Sequence, residues 1–598
     1  MILLGMLVPL YLLGQPSSGG GDAGGRLSEM RVKFNIAESD LGEISPASET
    51  MKLASLGLRG VAATLLWNKA HEYRVMHEWD RLKAALNNIA LLQPHYDKVW
   101  EHQAHNLAYN VSIEFDDYRQ RYEMVREGTE FLTRGVRQNR NAPRLVWYTG
   151  WFYGQKMGVS DEKVQFRRLF ADDDVLHESL MDEQIPIDSP DALGPFGKPD
   201  NWLVGRLWLE RGYGLVDSGV KIRRQTPLNF YETGPKWRIK HAEAIEDEGV
   251  LNAKAKSAWE LASKAWEDFG KRSIPTLLPF TVKLGQLEEL ENLREEKLQQ
   301  FRELTKEAYD AAVAEKVAEL PVDVKKVYER APEERTEAGK EQMKYIAAMV
   351  RPDLGEVAKN SDPSVRLKAV SLIGEMKDLS ERHNKTRGYR DQINFDYWET
   401  LAQAEQEDRT LEARKLIYDA EKAITDAELF KATELFEKAF VQWAEIFDDY
   451  PVLVIDDTAD DLFESIRHYM NVIDSEDLPE NFPLYTFATM MRDYGDIDHN
   501  AYAEFRETQK EKAAARRKEL EEQERKRELA AADEEESKEP PQVDSDDDAD
   551  AKTDNANAET PMKEKSADGE ASDEKAADSD GTAVPAEPKE DVVETPPV

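Results

Sequence analysis

Leu66-Trp-Asn-Lys-Ala70-His-Glu-Tyr73, followed by Leu82, Leu86 and Ile89 and closed by Pro94, sets apolar and small residues three, four and seven apart on two consecutive helices. A small residue such as Ala70 lets the first helix approach the second closely, and a proline stops the second. Thirty-four residues after Leu66, Trp100 opens another pair, which runs through Tyr118, Tyr122, Val125, Phe131 and Leu132 to Pro143. Pro143 in turn begins a helix with five aromatic residues, Trp147, Tyr148, Trp151, Phe152 and Tyr153. So many rings on one helix require burial on more than one side.

These are the spacings of a tetratricopeptide unit. Leu82 stands where the consensus has a small residue, so looser packing is expected there, and the second unit carries extra residues in its loop and second helix. A later stretch repeats the pattern: Leu416, Ala420 and Ala423 on one helix, then Ala432, Phe436 and Ala439 on the next, with Pro451 beyond. Asn394 to Asp408 supplies a packing helix on its N-terminal side, because a single pair cannot bury both faces. Just upstream, Asp362-Pro-Ser-Val365 to Gly374 resembles one helix of a HEAT repeat, with no second copy.

The expected fold is therefore all-α, a tetratricopeptide-like helical-repeat superhelix with long charged helices and disordered ends. Residues 1–25 form an apolar N-terminal segment and Gly-rich tether, and 45–160 the repeats. Residues 161–246 are a loop-rich helical connector that includes Gly194-Pro-Phe-Gly-Lys-Pro199. Residues 247–349 read as long charged helices, with Leu287, Leu290, Leu298, Phe301 and Leu304 in a narrow stripe that Arg294 and Lys297 interrupt. Residues 350–500 are a second helical-repeat domain, 501–532 a charged helix and 533–598 a disordered acidic tail.

The tail has 23 acidic residues against 6 lysines and no aromatic ring, too little apolar surface to offset roughly 1 to 2 kcal/mol of backbone entropy per residue. At the other end, Met1 to Leu13 is unbroken apolar sequence, expected to act as a membrane anchor or export signal or else to be a short buried N-terminus. Thirteen helical residues reach only about 20 Å, short of the roughly 30 Å hydrocarbon core.

Composition narrows the function. Lys plus Arg is 79 against 119 Asp plus Glu, a net charge of −40, which disfavours the phosphate contacts of nucleic-acid binding. With no cysteine, thiolate metal sites and cysteine nucleophiles are excluded. No phosphate loop, dinucleotide fingerprint, nucleophile elbow or His-Glu-x-x-His is present. No cofactor is expected, and no enzymatic activity.

Five of the ten histidines, His71, His77, His95, His102 and His105, fall within 35 residues. His102 and His105, three apart beside Glu101, have the spacing of a helical zinc or iron pair, or are polar residues on a solvated or groove-facing surface. In a repeat array the first helix of each pair lines the inner surface, which here places Trp67, Asn68, His71 and Arg74 beside Glu101, His102 and His105. That mixture suits a protein or peptide partner, although Trp67 is equally suited to pack on a preceding helix, Met51 to Arg59. Asp116-Asp117 caps a helix or holds a cation.

Glu49 to Gly60, Trp79-Asp80, Leu92-Gln-Pro94, Asn106 to Tyr118 and Gly150-Trp-Phe152 resemble a family of long, membrane-tethered helical-repeat proteins of planctomycete-type bacteria. The resemblance implies a full N-terminal membrane helix in relatives, from which this sequence departs by starting late, and supplies no activity. The expected function is a membrane-tethered protein-protein interaction scaffold, with a helical metal-binding protein or a structural envelope spacer as alternatives.

Overall fold

The structure, a computed structural model, describes residues 59–331, 337–479, 481–495, 497–508 and 510, with a few isolated positions before 59. The expected anchor and tether at 1–25, the helix Met51 to Arg59 except its ends, most of the charged helix at 501–532 and the acidic tail lie outside the described residues. The rest is mostly helical with almost no strand, an all-α protein.

The N-terminal helices come in adjacent pairs. α1 (Arg59–Val75) packs on α2 (Trp79–Leu92), and α3 (Asp97–His105) on α4 (Tyr118–Gln138). Ala70 is 3% exposed and Leu82, Leu86 and Ile89 are buried opposite it, as the spacing requires. Pro94 ends α2 and its carbonyl accepts from Trp100 Nε1 at 2.9 Å and Asn139 Nδ2 at 2.8 Å, so one turn ties the first pair to the second. Asp117 caps α4 by accepting from the Arg119 amide at 2.8 Å, which is the capping role rather than a cation site.

α5 (Pro143–Val159) starts on its proline and packs along α8 (Asn201–Asp217), with the short helices α6 (Lys163–Ala171) and α7 (Asp174–Asp182) between them in sequence. The aromatic helix is buried on several sides as expected: Phe152 and Tyr153 are wholly buried, while Trp147, Tyr148 and Trp151 are half-buried. What allows the close approach is a glycine stripe, Gly150, Gly154 and Gly158, whose missing side chains make room for the Gly205 backbone, Trp237 and Trp202 respectively.

α9 (Pro227–Asp247) and α10 (Ala253–Lys271) form the next pair. α10 opens the stretch read as long charged helices, yet its Trp259 and Trp266 are buried in the main core. After it come a two-residue antiparallel hairpin, Ile274–Pro275 with Thr281–Val282, and α11 (Leu287–Leu304). α12 (Lys306–Glu319), α13 (Val322–Glu329), α14 (Glu337–Met349) and α15 (Leu354–Asn360) lead to α16 (Pro363–Gln392), the helix with HEAT-like sequence.

α16 packs against α11 around Phe301, Ala369, Leu372 and Met376, so the two form a hairpin across the expected boundary at 349. The narrow stripe on α11 serves this small core, and Lys297 pairs with Glu375 on its rim at 2.8 Å. The chain then returns: α17 (Phe395–Glu405) packs on α10. α18 (Asp408–Thr425) and α19 (Leu429–Asp449) pair through buried Ala420, Ala423, Ala432, Phe436 and Ala439, followed by α20 (Asp456–Val472) and α21 (Tyr485–Tyr494). Among the described residues, no helix is long and apolar enough to cross a membrane.

Candidate functional site

Four of the seven residues expected to bind a partner meet at one place. Trp67, His71 and Arg74 from α1 and His102 from α3 line a cavity of about 170 Å³, floored by Ala70, Leu82 and Leu86. The cavity lies where the leucine in place of a small residue was expected to loosen the packing. Trp67 is half-buried and meets the His102 ring edge-on, with centroids 5.2 Å apart. Partial desolvation of the ring, and then the nearby Arg74 charge, lower the His102 pKa and disfavour the imidazolium.

The other three stand elsewhere. Asn68 is exposed outside the cavity. His105 stacks on Tyr109 at 4.4 Å, and burial first, then His102 and Lys156, lower its pKa. Glu101 corrects the sequence reading: its carboxylate is buried, paired with Lys98 at 2.9 Å and with Arg144 Nε at 3.0 Å. It is a structural tie between α3 and α5, because the inward turn of α3 points it at Arg144 instead of into the cavity.

Nor do the five histidines converge. His77 faces Glu114 at 3.3 Å, and His95 Nδ1 lies 3.0 Å from the Gln138 carbonyl. Among the described residues, no three His, Asp or Glu side chains stand close enough to hold a metal ion.

The decisive residue of the cavity was not anticipated. α3 does not end at His105 but widens into a π-helical turn over Asn106–Val111, a distortion frequent at functional sites. The turn places Asn106 on the cavity wall with 1% exposure; its Oδ1 accepts from Asn110 Nδ2 at 3.1 Å, while its Nδ2 meets no acceptor in the protein. An unmet buried amide costs about 1 to 3 kcal/mol, which makes the Asn106 Nδ2 an unsatisfied donor in a residue of the cavity wall. From here half-buried rings continue along the first helices. Tyr109 meets Phe152 at 5.8 Å and carries Lys156 Nζ 4.7 Å above its face; Tyr148 stacks on Trp151 at 5.4 Å, and Trp147 follows.

Two buried charge clusters also escaped the sequence reading. Arg167 on α6 pairs with Asp200 at 3.1 Å and Glu248 at 2.8 Å, and His241 on α9 meets Asp200 at 3.1 Å. Burial alone would raise the Asp200 pKa, but Arg167 and His241 hold it well below the usual carboxylate range. Asp200 also caps α8 through the Trp202 and Leu203 amides, so this cluster is structural.

In the second cluster Glu246 on α9 and Glu405 on α17 share Arg414 on α18. Burial first, then the neighbouring Glu405 charge, raise the Glu246 pKa to about 8. Because the folded state keeps this proton to higher pH than the unfolded chain, its contribution to stability is complete below about pH 4.5 and is lost as pH rises through about 8. Glu246→Gln should flatten that part of the pH dependence in urea denaturation; an unchanged profile would place the titration elsewhere.

Compared with known proteins, the chain matches no family model, no curated protein and no solved structure.

Proposed function

We propose that this chain is a tetratricopeptide-like interaction scaffold, tethered to a membrane through residues 1–25, that binds an extended segment of a partner protein along its first helices. One observation carries the reading. The buried Asn106 amide, without an acceptor of its own, opens on a cavity ringed by Trp67, His71, Arg74 and His102. Buried amide donors beside half-exposed rings suit a peptide, whose carbonyls take the donor while its side chains cover the rings. The lowered His102 pKa leaves Arg74 as the charged side chain of a lining that is otherwise apolar or polar.

The helix pairs α1/α2, α3/α4 and α9/α10 and the small-residue contacts at Ala70, Ala420 and Ala432 support the repeat reading. The aromatic row from Trp67 through Tyr109 to Trp151 gives such a segment a track longer than the cavity itself.

The test uses a photo-crosslinking residue in place of the exposed His71, with the native membrane fraction as the source of partners. A discrete crosslinked species is expected, and Arg74→Ala with His102→Ala should reduce it at least about tenfold while helicity stays the same, since exposed polar residues cost little stability when removed. Crosslinking that persists undiminished in the double variant would reject the groove. Recovery of the native chain away from the membrane fraction would reject the tether.

A further inference from the structure

Away from the groove, at the ends of the helices, the turn after α4 and the loop from α8 to α9 enclose a second cavity of about 600 Å³, within the range of small-ligand sites. Its walls reverse the sign of the molecule. The chain carries −40 overall, yet the charged residues here are Arg144, Lys221, Arg223 and Arg224 against a single acid, Asp97.

That acid is already engaged, since Arg224 pairs with it. Arg144 is likewise held, by Glu101 at 3.0 Å behind the wall, and it donates to the Arg224 carbonyl. Lys221 and Arg223 form no hydrogen bond or ion pair with the described residues, although acidic groups outnumber basic ones across the chain. With Arg224 and Arg144 compensated by Asp97 and Glu101, Lys221 and Arg223 are the two cations of the lining left without a counter-charge among the described residues, and a bound anion would supply one.

The backbone holds the arrangement at a cost. Arg224 has φ of 58°, the left-handed region that a residue with a long side chain rarely adopts, and Gly219 at 102° shapes the same loop. Such strain persists where surrounding contacts fix it, as the Asp97 and Arg144 contacts do here. Asn139 and Asn141 add amide groups to the lining, and Pro143 brings the positive end of α5 to the same wall. No Trp, Tyr or Phe ring lines the cavity, and its one imidazole, His95, has Nδ1 3.0 Å from the Gln138 carbonyl, so it lacks the large apolar anchors that a peptide groove needs.

From this we infer that the cavity between the α4–α5 turn and the α8–α9 loop binds a compact, multiply charged anion, its charge carried by phosphate or by carboxylate groups. Lys221 and Arg223 would contact the anion directly, and Arg224, fixed by Asp97, would hold the loop that presents them.

Calorimetric titration of the full-length protein at low salt, with pyrophosphate and with citrate as separate probes, tests this. One saturable site is expected for at least one of them, identifying phosphate or carboxylate as the preferred source of charge. Lys221→Gln with Arg223→Gln should weaken it about tenfold or more, as loss of charge-assisted hydrogen bonds requires. Both side chains are exposed, so the variant should keep its helicity; Arg223→Gln alone, expected to give a smaller loss, serves if it does not. Absence of saturable binding by either anion, or equal binding by the double variant, would overturn the inference. So would an acidic hexapeptide binding at this site when both small anions fail.

Discussion

Arg414→Leu should lower the free energy of unfolding at pH 7 by about 3 to 5 kcal/mol, the range for removing one partner of a buried ion pair. Arg414 Nε donates to both Glu405 oxygens, at 2.9 and 2.8 Å, and lies 3.5 Å from Glu246 Oε2; its guanidinium faces the Trp443 ring at 5.4 Å. Glu405 is 0% exposed and Glu246 5%. A leucine would fill part of the space but would leave two carboxyls facing each other without a cation. Glu246, its pKa already raised to about 8, carries more of its proton as pH falls, so the loss should be smaller at pH 5 than at pH 8. Adding Glu246→Gln and Glu405→Gln should recover much of the lost stability, since the remaining groups are neutral. A loss below about 1 kcal/mol in urea denaturation, or one independent of pH, would mean that water reaches the carboxylates and screens them.

The parts of the molecule that follow a local period were legible in the sequence. Ala70, Ala420, Ala432 and Phe436 are buried because each sits on the helix face that the spacing assigned to it. The same frame brought Trp67, His71, Arg74 and His102 together, since fixing the inward faces of α1 and α3 fixes what stands between them. What escaped depends on chain segments that only the fold makes neighbours. Glu101 seemed to belong to the groove until Arg144, 43 positions later, claimed it. Glu246, Glu405 and Arg414 come from α9, α17 and α18, with the α11–α16 excursion between the first and the others. No helical periodicity reports that α16 packs on α11 or that α17 returns to α10. The π-helical turn at Asn106 is a backbone choice rather than a residue pattern, and it determines where the unpaired amide points.

The glycine stripe of α5 gives a second large effect. Gly150 lies where α5 and α8 cross: a Cβ placed there would come within 2.5 Å of the Gly205 carbonyl and 2.9 Å of Trp208 Cβ. The first of these is backbone, so no side-chain rotation relieves it, and the helices must separate along a contact that also buries Trp202, Trp208 and Trp237. Replacing a helical glycine by alanine gains up to about 1 kcal/mol in helix propensity, but overpacking typically costs about 1 to 3 kcal/mol and occasionally more. Gly150→Ala should therefore destabilise the protein, and Gly150→Leu should do so more strongly. Gly214, on the same partner helix α8, has no atom within 4 Å of its own would-be Cβ, so Gly214→Ala should leave stability unchanged or raise it. Gly205→Ala meets the Gly150 carbonyl at 2.7 Å across the same crossing, and combining it with Gly150→Ala should cost less than the two single losses added, because one separation of the helices accommodates both methyl groups. Thermal unfolding of the five variants checks the sign of each change. Equal melting temperatures for Gly150→Ala and Gly214→Ala would show that α5 and α8 do not cross at these glycines.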